Sequence, residues 1–429
     1  MRTVSKTVIG VDFGTQSARA VLVNAENGEI IYSCRKEYPY NSTPVPAIDC
    51  AENLPCATDY EMTLYELLRN VIPEEYRKTV AGICVDATSL TMVLLAEDGR
   101  ALSELDGWSE AAHARVKLWK YHRAQEKADE ALNLARNLQE PFLGRTGGSI
   151  SCEWMLPKLL EGRDEAPEIY SKIDLAMDLC EFLTFRLTGQ LVRSIGSLSY
   201  KCLWAEDLSF PERTFLNGLR AGFYEEYCHF LRGDVRKLGE CAGVLRSELT
   251  KRWGLPEQIP VATGMLDGHT SLATMGAFEP GDAALIVGTS NVCTVQDRKL
   301  QELKDVCGVA QDGMVTGSCG IDTGQSSTGN MLGRFVEHMA GWQIHREAEE
   351  RKISPHQVLA ERIQKPWENK VIAVDWWSGS RNAPCDLTLR GSMSGLEMDT
   401  KTEDIYLALL QAIACGTGTI LESLSGQGV

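Results

Sequence analysis

Two segments far apart in the chain share one pattern, and that pattern limits the fold more than any other feature. Near the N-terminus the β-branched runs Val8 to Val11 and Ala18 to Val23 flank the polar turn Phe13-Gly14-Thr15-Gln16. In the second half, Ala283 to Val287 and Val292 to Val295 flank Gly288-Thr289-Ser290. Strand, Gly-Thr turn and strand, repeated once, predict two similar half-folds facing each other. Such a turn exposes consecutive backbone N–H groups, and its glycine lets another group approach the main chain. One turn of this kind can equally be a plain tight hairpin. Two of them suit the phosphates of a nucleotide held in a cleft between domains.

The chain between these turns alternates strands with helices. Asn27-Gly28 supplies a hairpin turn before a third strand, Glu29 to Ser33, so the chain opens as a β-meander. Residues 56–70 predict a helix, with Thr58 or Asp59 as its cap and Tyr60, Leu64, Leu67 and Leu68 at helical spacing. A strand, Val80 to Val85, ends in Asp86-Ala87-Thr88-Ser89, and a second run follows from Thr91 to Leu95. This order implies α/β architecture. Residues 108–140 read as helical, and the break Gly144-Arg145-Thr146-Gly147-Gly148 separates them from a further helix, SCEWMLPKLLE. After Leu255-Pro256 the stretch IPVATG reads as a fresh buried strand, which places a boundary between domains 1–250 and 251–429.

Composition excludes several classes. A formal charge of -16, from 43 basic and 59 acidic residues, opposes a general nucleic-acid binder, which needs a basic face. It leaves room for a small anion held by backbone amides and a metal. No uninterrupted apolar run approaches the roughly 18 residues that cross a bilayer, and Asp12 interrupts the N-terminus before a signal-peptide core forms, so the chain reads as cytoplasmic. The 14 cysteines are scattered; the closest pair, Cys50 and Cys56, signals neither zinc nor a disulfide framework. A P-loop signature is absent and a dinucleotide fingerprint is unsupported.

Two acidic residues carry candidate chemistry. Asp12, at the end of a buried strand, suits a hydrated Mg2+, which takes only one or two carboxylates and keeps its waters. Asp267, in TGMLDGHT, falls near a helix N-terminus, where the dipole favours an ionised acceptor at neutral pH. A carboxylate in that state can take the proton of a hydroxyl as it attacks phosphorus. By position alone Asp267 fits an N-cap equally well, and His269 reads as a structural histidine.

VDFGTQSARA, GMLDGHTS, IVGTSN and GIDTGQSS, in this order and spacing, resemble the FGGY carbohydrate kinases. VDATSLTM, LWKYH at 118–122, SCEWMLPKLL and YKCLW extend the resemblance to members acting on ribulose, over essentially the whole chain. The resemblance implies two actin/hexokinase-like (ribonuclease H-like) ATPase domains with an interdomain cleft. It implies transfer of the ATP γ-phosphate to the terminal hydroxyl of a sugar, a ketopentose such as L-ribulose, with xylulose, glycerol and erythritol as alternative acceptors. Asp267 becomes the catalytic base, and Asp12, Gly14, Thr15 and Gln16 the first phosphate and magnesium region. Gly288, Thr289 and Ser290 become the second phosphate loop, and Ser89, Lys201, Asp267 and Asp322 the sugar contacts. A solvated surface lysine is the alternative for Lys201, and for Trp119 the choice lies between core aromatic and sugar platform.

The partners implied are a small sugar and ATP, with neither nucleic acid nor membrane and with a homodimer possible. Two departures bear on the sugar: the ribulose pattern carries Glu where Asp322 stands and a smaller residue where Ser89 stands. The family also continues past LLQAIACGTGTILESLSGQGV into a glycine-rich loop and helices over adenine. The expectation is therefore a chain without its adenine half-pocket, either trimmed or a shortened homologue that binds sugar with impaired catalysis.

Overall fold

The computed structural model describes residues 5–38, 54–119, 121–381, 386 and 388–429. Cys50 and Lys120 of the segments named above lie outside them. The chain forms two compact units. The first is Met1–Leu143, Ser149–Thr274 and Ala310–Cys319; the second is Gly144–Gly148, Met275–Val309 and Gly320–Val429.

The first unit opens with the meander β1 (Thr7–Phe13), β2 (Ser17–Asn24) and β3 (Ile30–Glu37), followed by α1 (Ala57–Val71), β4 (Val80–Ala87) and β5 (Met92–Leu95). Next come α2 (Gln125–Leu138), α3 (Met155–Glu165), α4 (Pro167–Tyr170), β6 (Leu175–Asp178), α5 (Leu179–Thr188), β7 (Val192–Ser194) and α6 (Ile195–Lys201). After α7 (Arg213–Leu219) and α8 (Phe223–Phe230) the chain adds β8 (Asp234–Arg236), β9 (Cys241–Val244), α9 (Ser247–Trp253), β10 (Pro260–Ala262), β11 (Met265–Leu266) and α10 (Thr270–Met275). The main sheet has the order β3-β2-β1-β4-β10-β9, with β11 also paired to β4. β4 runs parallel to β1, β10 and β11.

Alternation decides which side chains enter the core. Along β1, Thr7, Ile9, Val11 and Phe13 are buried while Asp12 points the other way. The buried face packs on Leu64, Leu67 and Leu68 of α1 and on Phe182 and Leu183 of α5 in one apolar cluster.

Three expectations change. The first unit runs on to Thr274 rather than ending at 250, because IPVATG completes the first sheet against β4 instead of opening a new one. Neither Thr58 nor Asp59 is the N-cap of α1; Cys56 holds that position, its N–H donating to Asp59 at 3.3 Å, while Thr58 donates to Glu104. Within 108–140 only Ala112–Ala114, a short 3-10 turn, and Gln125–Leu138 are helical among the described residues. After the 3-10 turn, Val116-Lys117-Leu118 runs extended because Lys117 and Met92 exchange both backbone hydrogen bonds, at 2.9 and 3.2 Å, with Val116 and Leu118 buried.

The second unit holds β12 (Ala283–Val287), β13 (Asn291–Asp297), β14 (Gly308–Gln311), β15 (Cys319–Gln325), α11 (Gly329–Met339), α12 (Trp342–Arg351), α13 (Pro355–Arg362), β16 (Ile372–Val374), β17 (Ser392–Ser394) and α14 (Thr402–Gly426). Its sheet has the order β12-β13-β15-β14, and β12 and β13 form the antiparallel hairpin read from the sequence. Among the described residues α14 is the one helix long and apolar enough to cross a membrane, although Gln411 and Thr417 interrupt its apolar run. Tyr406 and Leu409 bring it into the apolar cluster of this unit with Phe335 and Val358.

A buried polar knot fixes the extended segment of the first unit. The Lys117 ammonium donates to Glu161 at 2.7 Å, and the Tyr121 hydroxyl donates to the same carboxylate at 2.8 Å. Both charged side chains are 1% exposed. Removing one member leaves an uncompensated buried charge. Glu161→Ala should therefore cost about 3–5 kcal/mol in urea unfolding, and Lys117→Met with Glu161→Leu far less. Equal losses for the single and double changes would contradict this.

Candidate active site

Three strands of the first sheet end alike: Val11-Asp12, Val85-Asp86 and Leu266-Asp267. Because β1 and β4 are parallel, their register sets Asp12 beside Asp86. β11 lies against the other side of β4, with Met265 opposite Asp86 and Leu266 opposite Ala87, so Asp267 leaves its strand at the same edge. Asp12 thus stands beside Asp86, and its charge opposes ionisation of the Asp86 carboxyl.

Burial dominates the electrostatics here. It pushes the Asp86 carboxyl up to about 8, aided by the charges of Asp12 and Asp267. Asp267 rises to about 7, first by burial, with the Gly268 N–H opposing and the charges of Asp12 and Asp178 adding; the Ser89 N–H also opposes the rise. The sequence expectation of a firmly ionised Asp267 is thus corrected: its helical turn, Asp267–His269, is too short for the dipole to outweigh burial among like charges. At neutral pH it stands between its two forms. Asp267 Oδ1 accepts from Gly268 at 2.6 Å, and Leu266 rather than Asp267 occupies the N-cap position.

The remaining first-unit candidates lie around this edge. Gly14 N–H donates to Ser17 at 3.1 Å, and its carbonyl accepts from the Tyr38 hydroxyl at 2.8 Å, which fixes the turn through Thr15 and Gln16. A Cβ on Gly14 would stand 3.3 Å from the Ser17 carbonyl. Trp119, half-buried, donates to the Thr15 hydroxyl at 3.2 Å and so braces the turn. Ser89 has a buried Oγ without a protein partner among the described residues. Lys201 is 6% exposed, not a solvated surface lysine; it ends α6, which packs on β11, and its ammonium lies 5.9 Å from the Tyr200 ring centre. Tyr200 in turn meets His269 edge-on at 4.5 Å, a packing role for that histidine.

The second unit carries the other candidates. Gly288-Thr289-Ser290 joins β12 to β13, and its carbonyls are claimed by the start of α11: Gly329 donates to Gly288 at 3.0 Å, and Thr328 and Asn330 each donate to Thr289 at 3.2 Å. A Cβ on Gly329 would stand 2.4 Å from the Gly288 carbonyl, so this approach requires glycine. Asp322 is buried on β15, and its charge adds to the burial that pushes the Cys293 thiol up to about 11.

Asp86 escaped selection from the sequence although the repeated apolar-Asp strand ending marks it. Among the described residues no three His, Cys, Asp or Glu side chains gather tightly enough to cage a bare ion. Among the described residues the one ion pair to the three aspartates is an exposed Arg19–Asp12 contact at 3.9 Å. Mutually repelling carboxylates with so little positive charge fit a hydrated divalent cation touched by one or two of them. The twelve described cysteines are free thiols.

Residues 7–274 match the FGGY family of carbohydrate kinases, N-terminal domain, and residues 283–429 match its C-terminal domain. The chain therefore belongs to the FGGY family of carbohydrate kinases, with its actin/hexokinase-like fold. Among curated proteins it is 34% identical over 435 residues to the ribulokinase of Halalkalibacterium halodurans, covering 99% of this chain and 77% of that protein. It is 36% identical over 436 residues to the ribulokinase of Mycolicibacterium smegmatis, with the same shares covered. Among solved structures, xylulose kinase from Lactobacillus acidophilus superposes with a TM-score of 0.76 at 18% identity, covering 98% of this chain and 78% of that one. Plasmodium falciparum glycerol kinase with ADP also gives 0.76, at 16% identity, covering 98% and 79%.

The raised carboxyls have a stability consequence. Asp86 binds a proton more tightly when folded than unfolded, so its favourable contribution is complete below about pH 4 and is lost as pH rises through about 8. Asp86→Asn should therefore gain stability relative to the parent as pH rises across that window, by up to about 6 kcal/mol, followed by denaturant midpoints at several pH values. A difference independent of pH would contradict it.

Proposed function

We propose that this kinase transfers the γ-phosphate of ATP to the terminal hydroxyl of a ketopentose, L-ribulose, with Asp267 as general base. The observation that carries the reading is the state of Asp267: half-buried, accepting from the Gly268 N–H at 2.6 Å, and raised to about 7 mainly by desolvation. A base whose pKa lies near the working pH takes a proton efficiently. The sugar oxygen forms its bond to phosphorus as the bond to the ADP oxygen breaks, and the hydroxyl proton goes to the Asp267 carboxylate. Ser89, Lys201 and Asp322 are the polar groups proposed for the polyol. The unpaired Ser89 Oγ supports this, since a substrate hydroxyl would complete it.

The turns at Gly14-Thr15-Gln16 and Gly288-Thr289-Ser290 serve the nucleotide phosphates. Asp12, with Asp86 beside it, would hold magnesium, which supplies charge neutralisation at the phosphoryl oxygens. Relatives named ribulokinase favour ribulose as the sugar. The short arm of Asp322 favours a second reading, another ketose or polyol such as xylulose, glycerol or erythritol.

ADP release measured across L-ribulose, D-ribulose, xylulose, glycerol and erythritol tests the proposal. L-ribulose should give the highest kcat/KM, and Asp267→Asn should lower kcat by on the order of 100-fold or more with sugar KM changed only a few-fold. Sugar binding without any turnover, or a fully active Asp267→Asn, would contradict the reading. Gly329→Ala, which displaces the Gly288 carbonyl, should raise the KM for ATP about tenfold and leave the sugar KM alone. An unchanged KM for ATP would remove the second turn from the nucleotide site.

A further inference from the structure

Leu90 stands out in the first unit. It is a buried leucine at φ +63°, in the left-handed region that β-carbon-bearing residues avoid. Nothing in its own side chain favours that conformation, as Asn or Gly would. Its two peptide groups are gripped from opposite sides. The Leu90 N–H donates to Asp178 Oδ2 at 3.1 Å, and the Leu90 carbonyl accepts from the Lys158 ammonium at 2.7 Å.

Both gripping side chains are buried, Asp178 at 0% and Lys158 at 1% exposure. Each is itself anchored. Lys158 also donates to the carbonyls of Leu118 at 2.9 Å and Lys117 at 3.3 Å. Asp178 accepts from Leu179 N–H at 2.8 Å, at the start of α5, and from the Ser197 hydroxyl of α6 at 3.2 Å. Thr88 and Thr91 close the loop from within, their hydroxyls 2.8 Å apart.

The residue presented by this turn is Ser89, two residues past Ala87, whose register partner Leu266 directly precedes Asp267; the Ser89 Oγ lies buried without a protein partner among the described residues. A left-handed residue in the loop between β4 and β5 redirects the chain by a fixed angle, so the orientation of the preceding residue depends on it. We infer that Lys158 and Asp178 are positioning residues for phosphoryl transfer, gripping both peptides of Leu90 so that Ser89 is held against Asp267. Neither touches the reacting atoms; the strain they impose on Leu90 is what aims Ser89. The inference rests on the assignment of Asp267 as the base.

Two variants reach the same turn by different routes. Lys158→Met keeps the length of the side chain and removes the grip on the carbonyl. Leu90→Ile keeps the volume and every gripping group, but a β-branched residue resists positive φ. With L-ribulose as the probe, kcat per folded molecule should fall at least about tenfold in each variant. KM for ATP should stay within about threefold, and the double variant should lie within about threefold of the weaker single, because both changes release one element.

A tenfold loss not reached in either single variant, a larger rise in the KM for ATP, or losses that multiply in the double variant, overturns the inference. Should Lys158→Met fail to fold, Leu90→Ile decides on the same tenfold limit. Asp267→Asn separates the two assignments: if it abolishes turnover while Leu90→Ile does not reduce it, the base stands and the clamp falls. If Asp267→Asn retains turnover, the base assignment fails and the clamp has nothing to aim.

Discussion

Three carboxylates gathered at the C-terminal ends of the parallel central strands of a mixed sheet set the terms for the rest of the first unit. The register of β1 against β4 makes Asp12 and Asp86 neighbours, and the short β11 brings Asp267 to the same edge. Burial first, and then the charges of the neighbouring carboxylates, raise Asp86 and Asp267 to about 8 and about 7. Without a cation this arrangement is costly, since a rise of one pKa unit corresponds to about 1.4 kcal/mol. Catalytic sites accept such costs because a base must be weakly held to work.

The surrounding scaffold is correspondingly polar and buried. Arg193, fully buried, pairs with Glu181 at 2.9 Å and donates to the Ala176 carbonyl at 3.0 Å. Glu181 in turn accepts from Ser194 N–H at 2.9 Å and from Asp178 N–H at 3.1 Å. These bonds tie β6, α5 and β7 into one element that includes Asp178, whose charge acts on Asp267. Groups paired in this way specify geometry more than they add stability, because desolvation offsets much of their attraction.

How much of this was legible in the sequence depends on the kind of signal. The two Gly-Thr hairpins, the meander and the strand through Val80 to Val85 follow from alternation and turn chemistry, which are local. The family-level reading followed from several motifs in a fixed order. What stayed hidden is what long-range pairing decides. HARVKLW has helical composition, yet Lys117 is drawn out beside Met92 by a strand-like pairing. IPVATG looked like the start of a domain because a buried parallel strand carries no mark of which sheet it joins. Asp86 was passed over because its partners, Asp12 and Asp267, are distant in sequence. The shift of Asp267 to about 7 could not be read at all, since burial among like charges is a property of the folded edge.

On the proposed function, this end of the sheet would hold protons in place of a cation until magnesium nucleotide binds. Calorimetry of pre-formed magnesium-ATP binding at pH 7, in two buffers of different ionisation enthalpy, measures that exchange. The account predicts net release of about one proton per nucleotide bound, because a nearby cation lowers the raised Asp86 and Asp267 carboxyls. Binding heats that are the same in both buffers would contradict it.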